Sequence, residues 1–155
     1  MAKYPRAKLV MSVTPIERLT QLSDQLGIEL MVKRDDLAGT TFGGNKSRQL
    51  EFYLGAAIAA NADTILITGA VQSNFVRTAA ASAAKYGLRT IVQLEARVPN
   101  QGAVYNTSGN VFLNQLLGVE IVYFPEGENE AAADASLRAR AEEERQKGHR
   151  PVLSD

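Results

Sequence analysis

Two short polar motifs contain the residues of this chain whose types and spacing could do chemistry. The first is Gly43-Gly44-Asn45-Lys46-Ser47, and the second, Gln72-Ser73-Asn74, begins 26 residues after the lysine. Each motif stands at the predicted start of a helix within one α/β unit. An amine, amides and hydroxyls at two helix starts are typical of a functional site rather than of a core.

Lys46 is the candidate nucleophile. Lys46 and Arg48 fall in a predicted first helical turn, where the macrodipole disfavours each cation by roughly 0.3 to 1 kcal/mol. Residues that break such local rules are often functional or strained. Lys46 also lies one turn before Leu50, on an apolar stripe that continues through Leu54 to Ile58, so it should face inward. Partial burial and a helix N-terminus favour the neutral amine, which can form a Schiff base with a carbonyl carbon. The structural alternative is a lysine that extends to water from an ordinary helix start.

Composition narrows the class of protein. The 155 residues are one domain's worth, and 17 basic and 17 acidic residues cancel without a long block of either sign, which predicts no nucleic-acid partner. There is no cysteine and one histidine, His149, so disulfide frameworks and thiolate or multi-histidine metal sites are excluded, and we predict no metal. Without an apolar signal core or a membrane-length apolar run, we expect no membrane partner and a cytoplasmic location.

Short β-rich runs alternate with helical ones, a pattern typical of a parallel sheet covered by helices. Strands are predicted at residues 30–34, 64–68, 90–94 and 120–124, and helices at residues 46–60, 74–86, 109–117 and 130–147. The last three strands begin 26 and 30 residues apart, which is a βαβ spacing. The predicted fold class is α/β, with a parallel sheet covered by helices on both faces in three αβα layers.

The predicted helices differ in what they face. Residues 74–86 are rich in alanine, which lets a helix approach a sheet closely, and this helix should be the most buried. Residues 130–147 have early acids and late bases, and we interpret their charges as a solvated face. Residues 14–16 are expected to be extended and to lead into a short helix at residues 17–26. Residues 150–155 look like the approach to a further strand.

The loop of residues 69–74 follows a predicted strand, at the edge where ligands bind in parallel sheets. Ser73 can cap the alanine-rich helix, whose free amides and positive end can receive a carboxylate or a phosphate. The structural alternative is a plain Ser or Asn cap. The earlier loop, residues 39–45, matches neither a P-loop nor a Gly-x-Gly-x-x-Gly fingerprint, so it does not specifically indicate nucleotide phosphates.

Together the motifs resemble one known family in order and spacing. The matching segments are Lys33-Arg34-Asp35-Asp36, Phe42-Gly43-Gly44-Asn45-Lys46, Leu50-Glu51-Phe52, Gly69-Ala70-Val71-Gln72-Ser73-Asn74 and Arg77. They are similar to the D-cysteine desulfhydrase and 1-aminocyclopropane-1-carboxylate deaminase family, pyridoxal-phosphate enzymes of the tryptophan-synthase-β fold type. The resemblance runs from about Tyr4 to Pro151 and includes Thr14-Pro15 and Gly109-Asn110.

The resemblance implies a role for each matching residue. Lys46 matches the catalytic lysine that holds pyridoxal 5'-phosphate as a Schiff base and then moves protons at the substrate's carbons. Asn74 matches the asparagine that hydrogen-bonds the cofactor's phenolic oxygen, and Asn45 would line the pocket beside the lysine. Ser73, also a catalytic candidate, and Gln72 belong with Asn74 to the loop that receives the substrate carboxylate.

The chain also departs from the family. Phe75 stands where relatives often have a polar residue, which could change substrate preference. Family members are about twice as long, and their second half supplies the phosphate cradle, the partner of the pyridine nitrogen and an aromatic residue over the ring. Residues 1–45 would belong to the larger domain and residues 46–155 to the smaller one. We therefore expect this chain alone to bind the cofactor weakly and to turn over little.

The resemblance implies a lyase for small amino acids, D-cysteine desulfhydrase-like, which forms homodimers at full length. Deamination of 1-aminocyclopropane-1-carboxylate and sulfite elimination from cysteate are close alternatives. A hypothesis of another class is a non-catalytic α/β binding module, and a dinucleotide-binding domain is a weaker third choice because the glycine fingerprint is missing.

Overall fold

The fold is α/β, with a parallel sheet and a separate pair of short antiparallel strands. It is seen in a computed structural model that describes residues 3–40 and 42–154. The elements follow in the order β1 (Ile16–Arg18), α1 (Thr20–Leu26), β2 (Met31–Lys33), α2 (Lys46–Ala59), β3 (Thr64–Ala70), α3 (Asn74–Lys85), β4 (Arg89–Glu95), α4 (Ala103–Thr107), α5 (Asn110–Leu116), β5 (Glu120–Phe124), α6 (Glu130–Gln146) and β6 (Pro151–Ser154). A 3-10 turn, Asp35–Leu37, precedes α2. In the described part of the chain, no helix is long and apolar enough to cross a bilayer.

Four parallel strands form the main sheet in the order β5-β4-β3-β6. The register pairs Thr64 with Arg89 and Ala70 with Glu95, so β3 and β4 end at the same level. Glu95 in turn pairs with Phe124, the last residue of β5. The loops that follow these three strands therefore leave the sheet at one edge, which confirms the expected placement of the polar turn at residues 72–74.

Helices cover both faces of this sheet, as predicted. Alternate residues of β3 point to opposite faces: Ile65 and Ile67 join a cluster with α2, α3 and α5, whereas Leu66 packs against α6. The alanine-rich α3 is buried from Val76 to Ala83, which confirms that it is the most buried helix. Small side chains let α3 lie close to the strands, and this fixes where its first turn stands.

The sequence predictions locate the sheet strands and the main helices to within one or two residues, but several details differ, and the short helix Ala103–Thr107 was not predicted. Glu17 and Arg18 belong to a strand and not to the start of a helix, since Ile16–Arg18 pairs antiparallel with Met31–Lys33. Backbone pairing with a segment that follows the next helix is not visible in a local pattern. Ile58, predicted to face inward on α2, is 41% exposed. The last segment is already a strand, because Pro151–Ser154 pairs with β3.

A buried carboxylate ties the amino-terminal segment to α2. Glu51, on α2, is 1% exposed and accepts hydrogen bonds from the backbone amides of Leu9 at 3.0 Å and Val10 at 2.9 Å. Arg6 forms an ion pair with its other oxygen at 2.5 Å. Burial opposes ionisation of Glu51, but the Val10 amide and the Arg6 guanidinium outweigh it and lower the pKa of this carboxyl. The helix that begins with Lys46 is thereby fixed against residues 6–10.

The charges of α6 are not all a solvated face, which corrects the prediction. Glu144 is fully buried beneath three cations. Its carboxylate pairs with Lys147 at 2.8 Å, with Arg140 at 2.8 Å and with Arg89, the first residue of β4. The hydrogen bond from Lys147 and the pairing with Arg89 hold the pKa of Glu144 at about 2 against the opposing effect of burial.

We predict that this cluster makes stability depend on pH. A carboxyl whose pKa is lowered from 4.5 to about 2 on folding contributes stability above pH 4.5, and this contribution is lost as the pH falls towards 2. Glu144→Gln should therefore lower the free energy of unfolding at neutral pH, and the difference from the parent chain should disappear near pH 2. Urea denaturation at several pH values measures both. The matched control is Glu142→Gln, which removes only an exposed pair with Arg145; equal effects of the two variants would contradict the prediction.

Candidate active site

The two cations at the start of α2 have different environments. The Arg48 guanidinium donates to Asp35 at 2.9 Å and to Thr14 at 3.0 Å, and the Asp35 carboxylate raises the pKa of Arg48. Lys46 is half-buried, and its ammonium pairs with no acceptor among the residues that the structure describes. The ion pair accounts for Arg48 in a turn that disfavours cations, but nothing comparable accounts for Lys46.

The loop before Lys46 is shaped by glycines at positive φ. At Gly43, with φ +62°, a Cβ atom would lie 1.9 Å from the backbone oxygen of Asp36, so only glycine fits. The amide of Gly44 donates to the backbone oxygen of Asp35 at 2.6 Å. Asn45, the last residue of the loop, is exposed and makes no side-chain capping bond. The 3-10 turn thus supports the backbone from which α2 starts.

The same loop lies against α3. The Phe42 ring faces the guanidinium of Arg77, with 5.3 Å between the guanidinium carbon and the ring centroid. Thr40 and Ser82 share a hydrogen bond of 3.0 Å between their hydroxyl oxygens. These contacts bring the segment that ends at Lys46 alongside the helix that begins at Asn74.

The turn between β3 and α3 has the predicted cap. The Ser73 hydroxyl oxygen accepts a hydrogen bond of 3.3 Å from the backbone amide of Val76, so Ser73 is the N-cap of α3. The turn is packed tightly, because a Cβ atom at Gly69 would lie 2.9 Å from Val76 and 3.1 Å from the Ser73 hydroxyl. The remaining amides of the first turn face the edge of the sheet with the positive end of the α3 dipole.

Gln72 joins this turn to the segment between β4 and β5. Its amide nitrogen donates to the backbone oxygens of Tyr105 at 2.5 Å and Ser108 at 2.9 Å. Its amide oxygen accepts from the backbone amide of Asn110 at 2.9 Å. The side chain of Gln72 is therefore already hydrogen-bonded to the loops that it joins. Only the backbone of Gln72 is available to bind a ligand at this turn.

The side-chain amide of Asn74 contacts the protein through its oxygen atom. Its oxygen accepts hydrogen bonds of 3.1 Å from Arg77 and of 3.1 Å from Asn110. Its nitrogen donates to no acceptor in the described ranges, and the residue is exposed. The amide N–H groups of Asn74 are thus available as donors at the edge of the sheet.

The structure brings Gln72, Ser73 and Asn74 together in the turn before α3. Asn45 and Lys46 lie at the start of α2, at the end of a different loop. Within residues 3–40 and 42–154, no hydrogen bond joins either residue to the turn. Sequence reasoning assigned no role to Arg77 or Asn110, although both lie in the matching motifs. Arg77 could have been found from its position one turn after Asn74, on the same helix face. Asn110 is 36 residues away and offers no local signal.

Comparison with known proteins finds a matching family and similar relatives. Residues 8–153 match the model of a protein family described as pyridoxal-phosphate dependent enzymes. A D-cysteine desulfhydrase of Yersinia pestis (strain Pestoides F) is 41% identical over 155 residues, which are 99% of this chain and 46% of that protein. A 1-aminocyclopropane-1-carboxylate deaminase of Methylobacterium sp. (strain 4-46) is 43% identical over 130 residues, 82% of this chain and 39% of that protein.

A solved structure shows the same fold. The crystal structure of an ACC deaminase homologue superposes with a TM-score of 0.86 at 34% identity, covering 98% of this chain and 44% of the other. The chain therefore spans about half the length of the relatives that it matches.

We predict that Gly43 is needed for the loop that precedes Lys46. In Gly43→Ala the new methyl group would collide with the Asp36 carbonyl in addition to the strain of positive φ. Gly44→Ala is the matched control, since it has positive φ but open space around its Cβ position. Gly43→Ala should lower the free energy of unfolding by more than the roughly 1 to 2 kcal/mol expected for the control. Urea denaturation measures both, and equal losses would show that the contact with Asp36 is unimportant.

Proposed function

This chain belongs to the family of pyridoxal-phosphate dependent enzymes, and we propose that it provides the lysine-bearing part of a lyase for small amino acids. The observation that carries the proposal is the contrast between two cations in one helical turn. Arg48 is neutralised by Asp35, whereas Lys46 is half-buried and has no partner in the described residues. An unpaired amine at a helix start suits covalent attachment of an aldehyde.

The donor set suits pyridoxal 5'-phosphate. When bound, this cofactor supplies an electron sink that stabilises negative charge on the substrate carbon next to the amino group. Lys46 would hold the cofactor through its Nζ atom and then move protons at the substrate's carbons. Asn74 would donate its free N–H to the phenolic oxygen, and Asn45 would line the pocket beside the lysine. Ser73, with the amides around Gln72 and Asn74, would receive the substrate carboxylate at the α3 N-terminus.

We propose D-cysteine as the substrate, with conversion of D-cysteine and water to pyruvate, hydrogen sulfide and ammonia. Relatives named D-cysteine desulfhydrase, 41% identical over nearly the whole chain, support this choice. The alternatives are 1-aminocyclopropane-1-carboxylate, supported by the relative with that name, and cysteate. Phe75 packs edge-on against Tyr53 beside the turn, at 6.2 Å between ring centroids, and is the residue we expect to influence the choice.

The proposal extends to organisation and location. Residues 1–45 would belong to the larger domain of the family fold, and residues 46–155 would form the smaller domain. We propose a cytoplasmic homodimer for the full-length family member. A chain without cysteine has no need of an oxidising compartment, which supports the location.

We predict that Lys46 is the residue that binds the cofactor. The chain is incubated with excess pyridoxal 5'-phosphate, reduced with borohydride and mapped by mass spectrometry. We expect label mainly on Lys46, because its amine is half-buried at a helix start and pairs with no acceptor in the described residues, so it is available for a Schiff base. The matched variant Lys46→Arg should lose this label and keep any background on exposed lysines such as Lys3 and Lys8. Label scattered evenly over several lysines in the parent chain would favour the non-catalytic binding module.

A further prediction concerns substrate and turnover. With excess cofactor, we expect slow sulfide release from D-cysteine, less from L-cysteine, and none in Lys46→Arg. Turnover should be low because the covalent bond to Lys46 and one side-chain hydrogen bond would hold the cofactor without the phosphate cradle that the resemblance places in the second half of the family fold. Ammonia release from 1-aminocyclopropane-1-carboxylate in excess of sulfide release from D-cysteine would favour the alternative substrate. Tight binding at equimolar cofactor would contradict the expected weak retention.

A further inference from the structure

We infer that Arg77, acting together with Asn110, is a positioning residue that fixes the orientation of the Asn74 side-chain amide. The inference rests on the proposed function for its consequence, because the orientation determines whether Asn74 offers a hydrogen-bond donor or an acceptor to a ligand. Arg77 and Asn110 contact each other and Asn74 through hydrogen bonds in which some atoms can only donate and others can only accept.

A guanidinium can only donate hydrogen bonds, and this sets the direction of the whole arrangement. Arg77 donates from Nε to Asn110 Oδ1 at 3.0 Å and from Nη2 to Asn74 Oδ1 at 3.1 Å. Both amide oxygens must therefore face Arg77. A turned amide at either residue would place an NH₂ group against a donor and leave two polar groups without a bond.

The orientation of Asn110 is fixed from its other side as well. Its Nδ2 donates to the backbone oxygen of Gln72 at 2.8 Å, and a backbone oxygen can only accept. The same Nδ2 donates to Asn74 Oδ1 at 3.1 Å. Asn74 Oδ1 thus accepts hydrogen bonds from two nitrogens, and neither nitrogen can act as an acceptor.

It follows that Asn74 Nδ2 points away from Arg77 and Asn110. In the described part of the chain this nitrogen meets no acceptor, and the residue is exposed. A cation near the amide oxygen also polarises the amide and strengthens its N–H groups as donors. The turn therefore presents a donor suited to a developing oxyanion, such as the phenolic oxygen of the proposed cofactor.

Arginine is specifically suited to this position. The residue is 6% exposed, and the Phe42 ring covers its guanidinium at 5.3 Å. The planar fork allows Nε and Nη2 to reach two different oxygens at once, which a single ammonium group cannot do with the same geometry. Because Phe42 belongs to the loop before Lys46, one side chain contacts both halves of the candidate site.

The first measurement needs no cofactor. In the uniformly ¹⁵N-labelled chain, side-chain amide protons of Asn110 should exchange slowly with water, and those of Asn74 should exchange as fast as a solvated amide. Arg77→Met should raise the Asn110 exchange rate about tenfold, because an amide whose oxygen is no longer held by Arg77 can turn and break the hydrogen bonds that its Nδ2 donates. Equal protection of the two side chains in the parent chain would overturn the inferred orientation, whatever the chain binds.

The second measurement follows the colour of the Lys46 adduct with excess cofactor as a function of pH, as a difference spectrum against the Lys46→Ala form of each variant. A hydrogen-bond donor at the phenolic oxygen stabilises the anion of that oxygen and lowers the midpoint, which is the pH at which half of the colour change has occurred. Asn74→Ala, Arg77→Met and Asn110→Asp should therefore each raise the midpoint, by about one pH unit for Asn74→Ala. The double variant Arg77→Met with Asn74→Ala should shift no further than Asn74→Ala alone.

Several outcomes would overturn the inference. A normal midpoint in Arg77→Met beside a raised one in Asn74→Ala, or fully additive shifts, would show that Arg77 does not act through Asn74. Arg77→Lys should recover only part of the shift, and Arg97→Met, which removes an arginine bound to Glu95, should leave the midpoint unchanged. If Arg77→Met fails to fold, Asn110→Asp gives the same decision, because its carboxylate can accept from Arg77 but cannot donate to Asn74. Absence of a Lys46 adduct in the parent chain would reject the proposed function, while the exchange measurement would still decide the orientation.

Discussion

The hydrogen bonds around the turn after β3 can form in only one donor-to-acceptor arrangement, and the candidate site depends on this constraint. Arg77 can only donate, and the backbone oxygen of Gln72 can only accept, so the amide of Asn110 between them has a single satisfied orientation. Asn74 inherits its orientation from both neighbours. The polar face that this turn shows to a ligand is thereby a consequence of groups lying behind it.

The start of α2 is built on a different principle. Its backbone is set by glycines that approach the 3-10 turn more closely than any side chain would allow, and by the pairing of Arg48 with Asp35. Glu51, one turn further along, binds the amino-terminal segment through buried hydrogen bonds. These contacts anchor the helix while leaving Lys46 without a partner in the described ranges. An anchored helix that carries an unpaired amine is an arrangement that covalent catalysis can use.

The sequence predicted the central α/β elements well because their periodicity is local. The alternation along β3 and the alanine-rich surface of α3 result from burial on a sheet, which the residue pattern records directly. Strand β2 was predicted, but its partner β1 was missed, because β1 is short and is stabilised by pairing with a segment beyond the next helix. The same limit explains the exposed Ile58 and the buried Glu144: burial depends on which element lies opposite, and a helix pattern does not encode this.

For the candidate site, the sequence alone determined the chemistry on offer: an amine at Lys46, a cap at Ser73 and amides at Asn45, Gln72 and Asn74. It also determined that these groups stand at the starts of two helices, because capping and glycine preferences are properties of a few consecutive residues. Only the tertiary structure decided which of these groups are already occupied. Gln72 is used up by loops more than thirty residues away, Arg48 by Asp35, and the oxygen of Asn74 by Arg77 and Asn110. The physical reason is that hydrogen bonding is saturable, so the availability of a polar group depends on all its neighbours in space and not on its own position in the chain.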